Sequence, residues 1–597
     1  MRCCGFAMRI ERIAPAKRPD LLLVVMGIAL LVATFAPRLW LLRIRSFDPD
    51  EFEHLHASWL LSKGFLPYRD YFEHHTPALY FFLAPVFAFF DVETSFAEAK
   101  AMMIFSRQLM CVLTGLALLL VLGLGWRWRD WRVGLAGAVF TSGTITFLKK
   151  TLEVRPDVLC AVFWMACLLL LLRAVTQTDA GTRRARGFFF GSGVLLGLTV
   201  LTTQKMLFTV PGFALTMVWY AVDRRSHGTV KMRCQNVLWQ LAGFALPLAV
   251  TLGYFAGRDG LYEFVEFNLL LNLRVANHFP PYGTIRTVLS QNPVILGLGM
   301  IGCARVAIGM FKEAAFRRGD FVLVINTLGL IFGLFLLPQP YRQYFLTFLP
   351  LLGLLGATGL VDMVDWLLAL RRRRPSWLRP SRVVTIAGTF AVVTTVGLWW
   401  SLTSPDYAVD LCVEVLFAVC ALALAMIPLS FGRGGSALAI VLLLWSIYPL
   451  NQIHAAFEWT NRRQLAILRY VLENTTPEET VMDGWSGIGV FRPHAWFYWF
   501  PHGDINPLFT PEQRRGLLED LRSGKIAPKL VNLDASVQSI LPEVTEFFTK
   551  NYEPVGLLSI RKRNRWLDLA ILPSELQPHS SPVSAPLPEL EGKLSSH

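Results

Sequence analysis

Between Arg45 and Phe82 the chain reads RSFDPDEFEHLHASWLLSKGFLPYRDYFEHHTPALYFF, directly after an apolar run. Acids and histidines at this spacing suit proton transfer or metal binding. Asp48 followed by Pro49 predicts a helix start, with an N-cap and then proline at the first helical position. Glu51 stands three residues past Asp48 and completes a capping-box pattern. Both acids therefore have a structural duty open to them. Asp50 has none. It falls in the first turn, where the helix dipole favours an ionised carboxylate. A carboxylate that is charged and uncommitted can act as a general base. The alternative is a solvated first-turn acid. Glu51, beside it, is the second catalytic candidate.

The predicted helix 49–63 carries Phe52, Leu55, Trp59 and Leu60 on one face and ends at Gly64, as an amphipathic helix on a membrane surface would. Further on, Glu73, His74 and His75 precede Thr76-Pro77 and a short apolar segment, 77–90. Glu73 and His75 are candidate ligands for a divalent metal, although sequential histidines lack the His-x-x-x-His spacing of a helical site. Glu73 can equally orient an acceptor or hold a cationic group.

The elements around this stretch follow from composition. The chain has 597 residues, 54% hydrophobic and 17% charged, against roughly 25% charged in an ordinary soluble protein. Apolar runs long enough for the hydrocarbon core recur throughout; one could be a signal peptide, a dozen cannot. They are placed near 21–42, 102–125, 133–148, 157–173, 187–204, 206–222, 236–256, 293–311, 320–338, 343–366, 383–401, 410–429 and 436–452. Segment 77–90 is too short to span and reads as an interfacial or re-entrant helix. Arg305 inside 293–311 has to snorkel or pair.

Charge bias orients the bundle. WRWRDWR (126–132), RRAR (183–186), DRRSHGTVKMR (223–233), KEAAFRR (312–318) and RRRRPSWLRPSR (371–382) are short, basic and cytoplasmic by the positive-inside pattern. They account for most of the net charge of +14, so the basicity reflects topology and not nucleic-acid binding. The expected fold is an all-α polytopic membrane protein of about 13 transmembrane helices with a small α/β extracytoplasmic C-terminal domain. Residues 1–19 form a cytoplasmic tail and 20–452 the membrane domain, whose first extracytoplasmic loop, 43–101, carries the chemistry. Residues 453–572 form the exported domain, with a helix at 463–474 and strands at 479–485, 528–534 and 556–563. The Ser/Pro-rich 573–597 reads as a disordered tail. The loop 257–292 predicts a further interfacial helix.

The stretch FDPDEFEHLHASWLLSKGFLPYRDYFEHHTPALYFFLAPVF resembles the first extracytoplasmic loop of the GT-C superfamily of membrane glycosyltransferases. It is most similar to the branch of the lipid A aminoarabinose transferases and the protein O-mannosyltransferases. Asp50-Glu51, Gly64 and Glu73…Pro77 stand where that branch has its Asp-Glu, its turn, and an acid before a Pro-containing apolar stretch. The branch's basic-Pro-Pro element is here His-Thr-Pro. KKTLEVRPDVLCAVFWMACLLLLLRA (149–174) and QPYRQYFLTFLPLLGLLGA (339–357) extend the likeness, which covers roughly residues 20–370.

The resemblance implies a bacterial inner-membrane enzyme whose site faces the periplasm. It would take a sugar from a polyprenyl-phosphate donor and transfer it, with inversion, to the hydroxyl of a lipid, glycan or protein acceptor. One base suffices, because phosphate leaves as an anion; two-carboxylate glycoside hydrolysis differs in this. Asp50 is then the base. Glu73 and His74 would contact substrate, and Arg155, Lys205, Tyr341 and Arg342 the leaving phosphate, with snorkelling as the alternative for the cations. Asp157 would orient Arg155, cap its helix or contribute to a weak metal site. A transporter or flippase of lipid-linked sugars also explains many spans, but its acids should sit at the bilayer midplane. A non-catalytic membrane protein with an exported domain is the third reading.

Overall fold

The structure, a computed structural model, describes residues 20–177, 181–223, 228–274, 281–311, 317–337, 339–372, 421–452, 460–487, 489–503, 505–555 and 560–562. Among these, eight helices are long and apolar enough to cross a membrane: Leu21–Ile44, Phe96–Trp128, Pro156–Val175, Arg183–Thr202, Gln204–Val222, Val230–Ala256, Arg318–Leu336 and Leu349–Arg371. Ile295–Met310, Ala421–Ser430 and Gly434–Ser446 are shorter apolar helices, as is Ala78–Phe89. This is an integral membrane protein, mostly helical, with short strands confined to its C-terminal region. The predicted span 383–401 and most of 410–429 lie outside the described residues.

The larger unit takes in the described residues of Met1–Val92 and Ala97–Asn461. Its elements near the candidate site are α1 (Leu21–Ile44), α2 (Pro49–Ser62), α3 (Ala78–Leu83), α4 (Phe96–Trp128), α5 (Trp131–Gly143), α6 (Ile145–Lys150), α7 (Pro156–Val175) and α8 (Arg183–Thr202). The predicted span 133–148 is broken in two. Thr144 is extended (φ −69°, ψ 133°) between α5 and α6. The break is held from outside: Asn292 Oδ1 accepts from the freed Ile145 N–H at 2.8 Å, and Asn292 Nδ2 donates to Thr146 Oγ1. Arg305 pairs with Asp362 at 3.2 Å, as a charge in an apolar helix must. Helix–helix contact relies on small residues. A Cβ on Gly193 of α8 would meet Gln240 O at 2.2 Å, and one on Gly243 would meet Phe190 O at 2.1 Å.

The smaller unit takes in the described residues of Glu93–Phe96 and Arg462–His597. Its sheet runs β1 (Val481–Met482), β2 (Leu530–Asn532), β4 (Ile560–Lys562), β3 (Glu553–Pro554), with β1 and β2 parallel and the other pairs antiparallel. The helix Arg462–Asn474 buries Ala466, Ile467, Tyr470 and Val471 against Val481, Leu530 and Val555. Buried Arg492 donates to the carbonyls of Leu472 and Thr475 at that helix's end and to Glu93 O at 3.0 Å, which binds the segment 93–96 to this unit.

Candidate active site

Helix α2 starts where the sequence says it should. The Asp48 side chain accepts from Asp50 N, Pro49 occupies the first position, and the capping box with Glu51 is complete. The helix is not a surface helix, however. Every residue from Glu51 to Leu60 is buried. Its polar face is covered because other elements supply partners for it.

Glu51 shows this most fully. Its carboxylate is 0% exposed and receives Arg107 of α4 in a fork, Nε at 2.8 Å and Nη2 at 2.6 Å. The backbone N–H groups of Asp48 and Val154 donate to the same carboxylate at 2.9 and 3.0 Å. Arg107 also donates to the carbonyls of Leu42, Arg45 and Ser46 and lies 3.9 Å over the Phe47 ring. Glu51 thus joins α1, α2, α4 and the 151–155 turn. Four donors meet its two oxygens.

Asp50 differs. Its side chain is 28% exposed; Oδ2 accepts from Arg155 Nη1 at 2.7 Å, and Oδ1 has no hydrogen-bond partner among the described residues. Arg155 divides its charge. Nη2 meets Asp48 at 2.7 Å and Nε meets buried Glu153, which is also held by Lys150 at 3.0 Å and Arg45 at 3.4 Å. Burial raises the Asp48 carboxyl, but Arg155 and Lys150 outweigh it and hold that group below the usual carboxylate range. Burial disfavours charge on Arg155, yet Asp48, Asp50 and Glu153 keep it firmly protonated. The expected pairing of Arg155 with Asp157 is therefore replaced by three other carboxylates. Glu153 and Lys150 were not singled out from sequence; the run KKTLEVRPD, with an acid two residues before the arginine, is the signal that carried them.

Asp157 pairs with Lys205 at 3.5 Å, and the Lys205 ammonium sits 3.3 Å from the centre of the Tyr344 ring. Asp157, Lys205, Phe208, Leu334, Tyr344 and Phe348 line one recess, polar at one end and apolar along its walls. Tyr341 and Arg342 begin the adjacent 3-10 turn, Arg342–Leu346, and both are half-buried. Tyr344 was not among the sequence candidates, although it lies in the same YRQY run.

Glu73, His74 and His75 meet a residue the sequence reading passed over, Glu53 of α2. Glu53, Glu73 and His74 are 4%, 1% and 9% exposed. His75 Nδ1 is 2.9 Å from Glu73 Oε1 and 3.7 Å from Glu53 Oε1, and His74 Nδ1 is 3.6 Å from Glu53 Oε1. Burial, then the charges of Glu73 and Asp50, push the Glu53 carboxyl well above its ordinary range. Burial lowers His54, which stands behind the group. Glu53 was legible as the fourth acid of DPDEFE, three residues from Asp50 and so on its helix face.

These groups collect where α1 ends, α2 and α7 begin, and α8 gives way to Gln204. The arrangement offers an oriented carboxylate, a cation beside an apolar recess, and a second acid–histidine group. The likeness to known proteins lies in the fold. No family model matches the chain, and no curated protein sequence matches it. ArnT from Cupriavidus metallidurans, in its crystal structure bound to undecaprenyl phosphate, is similar over 93% of this chain and 99% of its own, with a TM-score of 0.57 at 13% identity. The oligosaccharyltransferase from Archaeoglobus fulgidus in its apo form is similar over 90% of this chain and 74% of its own, with a TM-score of 0.51 at 14% identity. The same archaeal enzyme, AglB, in complex with an inhibitory peptide and a dolichol-phosphate, gives 0.51 at 13%, over 85% of this chain and 69% of its own.

Proposed function

We propose that this protein is a membrane glycosyltransferase that moves a sugar from a polyprenyl-phosphate donor to an acceptor hydroxyl on the outer face of a bacterial inner membrane. Asp50 Oδ1 takes the acceptor proton as the hydroxyl oxygen attacks the anomeric carbon from the side opposite the phosphate, so the configuration inverts. The leaving phosphate is received by Lys205 and Arg342, and the polyprenyl chain lies along the apolar wall beyond Lys205. Arg155 and Glu153 hold Asp50 in place. The carrying observation is Asp50 itself: one oxygen is clamped by Arg155 and the other is unengaged among the described residues. A transporter reading is less well supported, because Asp50, Arg155 and Asp157 lie at helix starts and Lys205 at a helix junction, not in mid-span. The chain crosses the membrane thirteen times in this reading, with 453–572 exported and 573–597 a tail.

The test is transfer from synthetic polyprenyl-phosphate sugars by purified protein, scored as release of polyprenyl phosphate and labelled acceptor. Donor binding without turnover across hexose and pentose donors and membrane-extract acceptors would overturn the reading. Arg342→Ala is expected to weaken donor binding and slow transfer together, and Arg342→Lys to restore part, because a point charge replaces a planar fork. Arg258→Ala, whose guanidinium lies over the Tyr254 ring, leaves both unchanged. Equal donor affinity in wild type and Arg342→Ala rejects the phosphate role. For orientation, Ser523→Cys is the reporter, since Ser523 is exposed in the smaller unit. A membrane-impermeant maleimide is expected to label it in intact spheroplasts above the wild-type background. Labelling only after permeabilisation would reverse the orientation.

A further inference from the structure

Arg38 lies inside α1 and is 0% exposed. A charged side chain within a membrane helix is costly, and such residues usually pair with one another or with backbone carbonyls. None of the described carboxylates pairs with Arg38; its partners are neutral oxygens. Nη1 donates to Thr34 O at 2.6 Å, Nη2 to Ser142 O at 3.4 Å and Nε to Thr151 Oγ1 at 3.4 Å. The guanidinium carbon also stands 5.7 Å from the centre of the Phe35 ring and 6.0 Å from that of Phe147. A second contact joins the same elements, Thr34 Oγ1 to Ser142 Oγ at 2.7 Å.

These partners stand on both sides of the break between α5 and α6. In a continuous helix each carbonyl accepts from the N–H four residues on. The extended Thr144 interrupts that ladder, and Ser142 O, just before it, accepts from Arg38 instead. Phe147 lies within α6, and Thr151 is the residue that ends it. Arg38 thus ties the end of α5 and the end of α6 to α1. Asn292 fixes the start of α6 from another side. Directly beyond Thr151 come the groups that reach the site. Val154 N donates to Glu51, and Arg155 meets Glu153, Asp48 and Asp50.

We infer that Arg38 is a positioning residue for the candidate site: by bracing the broken span it sets where the 151–155 turn presents Arg155 to Asp50. Its effect on turnover rests on the transferase reading; the bracing itself does not. A buried cation with no counter-charge costs stability, and a broken span gives up helix hydrogen bonds. The arrangement therefore serves placement at the expense of stability. A displacement of about 1 Å, caused far from the reacting atoms, can cost about 10²-fold in rate.

The experiment compares wild-type, Arg38→Met and Arg38→Lys proteins, full-length and monodisperse in detergent. Arg38→Met is expected to lower transfer at saturating donor by about 10–100-fold. Donor affinity is unchanged, since Lys205 and Arg342 lie on other elements. The thermal midpoint holds or rises, because no counter-charge is left buried. Arg38→Lys restores part of the rate, keeping a charge without the planar fork. An arginine that merely stabilised the fold would lower midpoint, donor affinity and rate together. That outcome, or a wild-type rate in Arg38→Met, overturns the inference. Hydrogen–deuterium exchange needs no turnover. Amides over 145–155 should exchange faster in Arg38→Met, and those of Gln204–Thr209 should not. Unchanged exchange over 145–155 also overturns it. If wild-type protein transfers no sugar, the transferase reading fails, while exchange still decides whether Arg38 braces the turn.

Discussion

Asp50→Asn is expected to lower sugar transfer by about 10²–10⁴-fold while leaving the protein folded and able to bind donor. The substitution keeps the size of the side chain and an oxygen for Arg155, but removes the group that accepts the proton. The structural losses are small. The first-turn dipole interaction contributes about 0.3–1 kcal/mol. Arg155 retains Asp48 and Glu153. Asp48→Asn is not a silent control, because Asp48 holds both Lys150 and Arg155. Asp70→Asn is the better one. It lies on the same loop in an exposed pair with Arg69, and its asparagine oxygen can still accept from Leu66 N. The measurement is initial transfer rate at saturating donor for monodisperse protein. Near-normal transfer by Asp50→Asn removes it as the base.

Glu51→Gln has the largest expected effect on stability. Glu51 and Arg107 are 0% and 1% exposed, and each has its polar atoms committed to the other or to backbone. Neutralising the acid leaves a guanidinium buried without its counter-charge, a change that costs about 3–5 kcal/mol. Thermal unfolding in detergent should show a large fall in midpoint, and donor binding should fall with it. Glu51→Met with Arg107→Met should recover much of the loss, since an apolar pair of similar volume has no charge to desolvate. If Glu51→Gln keeps wild-type stability and donor affinity but loses transfer, Glu51 is catalytic and the hub described above is wrong. Activity and folding thus separate Asp50 from its neighbour, two carboxylates that the sequence alone sets side by side.

Much of this site was legible locally. Asp48, Pro49 and Glu51 form the cap that their spacing predicts, because capping depends on backbone N–H groups within one helical turn and on nothing distant. The strands expected at 479–485, 528–534 and 556–563 appear as the shorter β1, β2 and β4. Pro554, which has no N–H to give, sits in β3 at the edge of that sheet, a strand absent from the sequence reading. The segment 77–90 is a short α-helix running into a 3-10 turn, as its length implied.

The pairings were not legible. Arg155 and Asp157 are two apart, and on a helix such residues do not face each other. Arg155 turns instead to Asp48 and Asp50, about a hundred positions earlier, and Asp157 to Lys205. In the same way Phe52, Leu55, Trp59 and Leu60 describe an apolar face, but say nothing of what covers the opposite one. Arg107 and the turns at 73–75 and 151–155 cover it. By itself, the sequence determined the long apolar helices, the start of α2 and the identity of an acid with no capping duty, because these rest on hydrophobicity and on neighbours within one turn. Only the tertiary structure decided which carboxylate stays open and which are consumed. That depends on which helix ends converge, and a buried charge is tolerated only where a partner from another helix arrives to meet it.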